Sequence, residues 1–147
     1  MEVHVRTARL TDLDAILRIR AHDDDGRDAR DDVDYLRNLL FVPSATVFVA
    51  ESERRVVGVG VLALRPSVRS GPFVGIIDEL EIQQVPPLGA AETRKVADEI
   101  VEHLATSARN KGCTRVEVSE PLASAEPSLW KRLGFASRGR TLGRSIG

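Results

Sequence analysis

The sequence predicts a single α/β (α+β) domain over residues 1–147, built on a mixed, mostly antiparallel sheet flanked by helices in the order β-α-α-β-β-β-α-β-α-β. The first reason is length, since 147 residues suit one domain and are short for two. The second is a change of period in the middle of the chain, where three consecutive β-branched runs alternate apolar and polar positions between short polar turns. The third is a long apolar stripe at helical spacing that follows those runs and precedes another strand pattern. A strand, a crossover helix and a strand place the two strands parallel.

At the N-terminus, Val3 and Val5 alternate with polar residues in EVHVRT and read as a short strand with one buried face. Thr11 followed by Asp14 resembles a capping box, and Leu13, Ile16 and Leu17 recur at helical spacing, so a first helix is expected from about residue 11 to 21. Val33, Leu36, Leu39 and Leu40 mark a second helix that ends near Pro43. ATVFVAES, RVVGVGVLALR and FVGIIDELEI then form an antiparallel meander, with Gly58 and Gly60 on one face of its second strand. Val96, Ala97, Ile100, Val101, Leu104, Ala105 and Ala108 make the long helical stripe, which stops at Asn110-Lys111-Gly112. CTRVEVS is the next strand, Glu126 to Leu133 a short helix, and FASRGRTLGRSI a final strand.

Composition narrows the function classes. The chain is 42% hydrophobic and 29% charged, and it holds no uninterrupted run of 18 apolar residues that would span a bilayer. Met1 leads directly into charged, alternating sequence without a secretory or transit pattern, so a cytoplasmic location is expected. One cysteine, Cys113, excludes an intramolecular disulfide framework, and three scattered histidines give no metal-type spacing. A net charge of −1 gives no general attraction to nucleic acid or membrane. The charge is uneven, however. Residues 22–37 carry seven Asp against three Arg, while the last 17 residues carry five Lys or Arg and no acid. The acidic stretch reads either as a solvated loop and helix start, or as a negative lip that attracts an amine-bearing partner.

In a sheet whose parallel pair is joined through a helix, the natural ligand position lies at the C-terminal ends of those strands. Here that point falls between IIDELEI, the start of the long helix and VEVSEP. The segment QQVPPLGAAET before the helix offers small residues and a positive helix end, which favour phosphate, although it reads equally as a Pro-initiated helix start with small packing residues. Glu79 and Glu81 alternate with Leu80 and Ile82, so both carboxylates share one face of their strand, where either a general base or a solvent-facing pair fits the spacing.

The element order and three local segments resemble the GNAT superfamily of acetyl-CoA-dependent N-acetyltransferases. These segments are VRTARLTDLDAILRI, DELEIQQVPPLGAAETRKVADEIVEHL and SLWKRLGF. The resemblance implies acetyl-CoA as co-substrate and a small-molecule or protein amine as acceptor, without nucleic acid or membrane. Homodimers are common in such folds, which makes a second copy a candidate partner. The backbone near Leu80, Ile82 and Gln83 would take the pantetheine arm, and Leu88, Gly89, Ala90, Ala91, Glu92 and Thr93 would form the pyrophosphate loop. Glu79 or Glu81 would act as base, and Asp23, Asp24 and Asp25 would border the acceptor. Leu88 stands where the family carries a basic residue, and Trp130 where many members carry the tyrosine that protonates the leaving thiolate, which leaves Tyr35, the one tyrosine, as the candidate acid. The rival expectation is a non-catalytic module of the same fold that binds a ligand or partner through this cleft.

Overall fold

Five strands, β1 (His4–Thr7), β2 (Ala45–Ser52), β3 (Arg55–Pro66), β4 (Phe73–Ile82) and β5 (Cys113–Val118), lie side by side in chain order. The computed structural model describes residues 1–20, 29–69, 71–139 and 142–146, with the side chains of 29–32 excepted. The first four strands pair antiparallel and β4 pairs parallel with β5, so the predicted meander and crossover are both present.

Alternation sends each strand's apolar residues to two cores. On one face, Phe48, Ala50, Leu62 and Ile77 pack under Val96, Ile100 and Leu104 of helix α3 (Ala90–Asn110). On the other, Val47, Val49, Val59 and Val61 pack under Leu13, Ile16 and Ile19 of α1 (Leu13–Arg20) and Leu36 of α2 (Ala29–Leu39). The paired glycines of β3 explain how close α3 comes. A Cβ on Gly60 would lie 2.5 Å from Ile100 Cγ2, and one on Gly58 would lie 2.9 Å from both Ile100 Cδ1 and Val96 Cγ1. The helix ends where predicted, with Gly112 in the left-handed region at φ +89°.

Three expectations need correction. The first helix is entered through a 3-10 turn (Leu10–Asp12) and is not capped by Thr11 and Asp14; the Asp12 carboxylate instead accepts the Arg9 N–H at 2.7 Å. Asp12 is chosen because Arg6 of β1 already holds it, donating to its two oxygens at 2.7 and 3.0 Å, and Arg6 reaches on to Glu51 of β2 at 3.0 Å. The helix expected over 126–133 is divided into α4 (Leu122–Ala125) and α5 (Pro127–Arg132), because Pro127 starts a new helix more readily than it continues one. No strand follows α5 among the described residues. Residues 140 and 141 of the expected strand lie outside the described residues; Gly139 at φ +109° departs from an extended backbone, and Leu142 and Ile146 are 81% and 92% exposed.

Candidate active site

The parallel pair parts part-way along β4. Its pairing ends at Ile77 and Val118, closed by the Ser119 N–H donating to the Ile77 carbonyl at 3.1 Å. Beyond that point β4 continues to Ile82, while the segment after β5 turns away into Pro121 and α4. Among the described residues the stretch Asp78–Ile82 therefore pairs with β3 on one side and with no strand on the other, where the two parallel strands form a wedge and α4 contacts β4.

A bulge sets which side chains this stretch presents. Glu79 stands opposite Val61 and Ile77 opposite Leu62, so Asp78 is the extra residue. Past it, Leu80 and Ile82 pack into the core beneath α3, and Glu79 and Glu81 occupy the α1 face. The shared face of the two carboxylates is thus as the alternation predicts, and both residues are half-buried. One Glu79 oxygen accepts the Leu80 N–H at 3.3 Å, and the other lies 3.6 Å from the guanidinium of Arg20, the last residue of α1. Nothing in the sequence singled out Arg20, one of three basic residues in LRIRAH; only the packing of α1 across β3 and β4 brings it to Glu79.

Gln83 extends the β4 ladder, its N–H donating to the Val57 carbonyl at 2.8 Å. Its side-chain amide donates to the Pro86 carbonyl at 3.0 Å and ties down the loop before α3, while its buried Oε1 has no partner. Leu88 packs its side chain against the α3-side core. Gly89 caps α3 without a side-chain hydrogen bond, and the first helical bond runs from the Thr93 N–H to the Gly89 carbonyl at 2.9 Å. The amides of Ala90, Ala91 and Glu92 are therefore outside the intrahelical ladder, and a Cβ on Gly89 would meet nothing nearer than Glu92 Cδ at 4.0 Å. Residues 83–93 contain no Lys or Arg, and Glu92 adds a negative charge to the first turn. These residues fit a phosphate chain through backbone N–H groups and helix polarity alone.

The other predicted residues are not all gathered here. Tyr35 is 52% exposed on α2, which packs on α1 and β2, two strands from β4. Asp23, Asp24 and Asp25, with His22, lie outside the described residues. Trp130 is buried, donating its indole N–H to the Leu122 carbonyl at 3.1 Å and meeting Phe135 edge-on at 5.4 Å. Cys113 opens β5 at the end remote from the wedge, and burial pushes its thiol pKa up. Among the described residues no cluster of metal-ligating side chains exists, and no helix is long and apolar enough to cross a membrane.

The parallel pair thus splays at a bulged strand beneath a helix start, and residues 13–135 match the model of the acetyltransferase (GNAT) family. The chain belongs to that family. Among solved structures it is similar to the aminoglycoside N-acetyltransferase AAC(6')-Iy in complex with CoA, at 16% identity and TM-score 0.81 over 99% of this chain and 95% of that one. It is likewise similar to a transcriptional regulator from Bacillus halodurans C-125, at 17% identity and TM-score 0.79 over 99% and 100% of the two chains. The ribosomal-protein-alanine N-acetyltransferase from Brucella melitensis biovar Abortus 2308 gives 17% identity and TM-score 0.79 over 99% and 100%. No curated protein matches the chain in sequence.

Proposed function

We propose that this protein transfers the acetyl group of acetyl-CoA to an amine of a small molecule or protein in the cytoplasm. The observation that supports the reading best is the open stretch of β4 beyond Ile77, with the Leu80 N–H facing a carboxylate and the uncapped start of α3 following it. The backbone near Leu80 and Ile82 takes the thioester end of the pantetheine arm, Gln83 and Leu88 hold the loop, and the backbone of Gly89, Ala90, Ala91, Glu92 and Thr93 receives the pyrophosphate. The acceptor nitrogen attacks the acetyl carbon, the C–S bond breaks, and CoA leaves as thiolate. The Leu80 N–H stabilises the charge that develops on the carbonyl oxygen. Glu79 or Glu81 takes the amine proton, and Asp23, Asp24 and Asp25 draw in the protonated amine. The leaving thiolate takes its proton from Tyr35, exposed on α2, or from water.

A second reading, a non-catalytic ligand- or partner-binding module, is favoured by Leu88 and Trp130, which are spent on packing where the family pattern has a cation and an acid. Thermal shift with acetyl-CoA, and with free CoA as control, separates the two, since a ligand that binds only the native state raises the melting temperature. A shift followed by CoA release with an amine supports the enzyme. Absence of any shift favours the module.

A further inference from the structure

Arg20 is a charged group that the fold leaves poorly satisfied. A guanidinium keeps its charge at every accessible pH and carries five N–H donors. The Arg20 side chain is only 15% exposed, yet among the described residues it donates no hydrogen bond, and its one ionic partner, Glu79, stands at 3.6 Å. Two other arginines are satisfied more closely. Arg6 places three donors on Asp12 and Glu51 at 2.7 to 3.0 Å, and Arg132 reaches Asp98 at 2.9 Å. A contact of 3.6 Å is well outside the usual range of about 2.7–2.9 Å for such charge-assisted bonds.

Its location gives the under-used charge a use. The Glu79 carboxylate touches Arg20 with one oxygen and the Leu80 N–H with the other. The cation therefore lies one carboxylate away from the amide that, on the reading above, holds the acetyl carbonyl. An amine nitrogen must come within about 3–3.5 Å of the acetyl carbon to attack it. A carboxylate two or three bonds from that nitrogen then falls within reach of Arg20, whose planar fork matches it.

We propose that Arg20 binds the carboxylate of the acceptor, and that the acceptor is a zwitterion of the amino-acid type. This rests on the acetyltransferase reading. As the acceptor carboxylate takes over the counter-charge of Arg20, the 3.6 Å contact between Arg20 and Glu79 loosens. A polycation without a carboxylate lacks this anchor and meets Arg20 as a like charge.

The test pairs each standard L-amino acid with its carboxamide, which keeps the amine and removes the negative charge. CoA release is followed with acetyl-CoA, and binding of the same pairs to the CoA-bound and to the ligand-free protein is followed by calorimetry. The wild type is expected to favour at least one acid over its amide by about 10–100-fold in kcat/KM, the worth of a charge-assisted hydrogen bond. Arg20→Met should bring that acid to the level of its amide, and Arg20→Lys should retain part of the preference. Equal use or equal binding of acid and amide throughout the panel overturns the proposal, and so does an undiminished preference in Arg20→Met. Failure of the wider reading shows differently, as no melting shift with acetyl-CoA and no CoA release with any amine. Calorimetry on the ligand-free protein then still decides whether Arg20 holds a carboxylate.

Discussion

Glu79 turns its carboxylate back onto the N–H of Leu80, 3.3 Å away, on the stretch of β4 that β5 does not cover. Acid and amide thus begin in contact, and a substrate carbonyl that takes the amide replaces that one hydrogen bond, with Glu79 still beside Arg20. Glu79→Gln is expected to lower kcat by about 10²–10⁴-fold while leaving the acetyl-CoA melting shift in place. If Glu81 is the base, Glu81→Gln carries that loss instead. Steady-state CoA release separates them, and full activity in both variants rejects a carboxylate base on this face.

The Arg6 guanidinium holds the Asp12 carboxyl below its ordinary range, aided by the Arg9 N–H and opposed by burial. A lowered folded-state pKa stabilises the protein above the unfolded value, near 3.9, and the benefit is lost as pH falls through the folded value. Asp12→Asn is expected to cost about 2–3 kcal/mol at neutral pH, since it leaves a largely buried cation short of its partner. Melting curves measured downward from neutrality should show the variant and the wild type converging below about pH 4. A gap that persists through that range disproves the role given to this pair.

Gly60 lies beneath Ile100 with no room for a methyl group. Gly60→Ala should destabilise by about 1–3 kcal/mol through overpacking. Ile100→Ala alone should cost about 2–5 kcal/mol through the cavity it leaves. Chemical denaturation of the double variant should show a loss smaller than the sum, because the new methyl occupies part of that cavity. Strict additivity would place the contact elsewhere.

Trp130 ties α5 to α4 through its indole N–H and contributes no acid to the chemistry. Trp130→Phe should reduce stability by about 1–2 kcal/mol, because the Leu122 carbonyl loses its donor. The kcat and its alkaline pH profile should stay unchanged. A shifted alkaline limb would show that the indole matters to proton return at sulfur.

Elements whose local pattern and packing agree were legible in advance. β2, β3, β4 and α3 match their predicted spans because period-two and helical stripes there coincide with the two cores. The cap of α1 was not legible, because Asp12 is recruited by Arg6, a residue on another element. The last expected strand is absent among the described residues because Gly139 leaves the extended region and Leu142 and Ile146 find no core to bury against. At the site, spacing placed Glu79 and Glu81 on one face, and element order placed the wedge. Arg20 became visible only through distance, as a helix end set against a strand nearly sixty residues later in the chain.

The extra residue at Asp78 has a further consequence, one of parity. Upstream of it, Gly75 and Ile77 point toward α3; downstream, even-numbered Leu80 and Ile82 do so. With no residue out of step, odd and even would keep their earlier assignments to the end of the strand. Both glutamates would then be driven into the oily layer, and Leu80 and Ile82 would face the mouth of the cleft. One amino acid of slack thus converts a run of ordinary alternating sequence into a row of acids lying on a greasy floor. Removing Asp78 would take out the bulge and leave Glu79 directly after Ile77, so the row would keep its facing, whereas removing one residue between Glu79 and Ile82 would turn every later side chain to the opposite face.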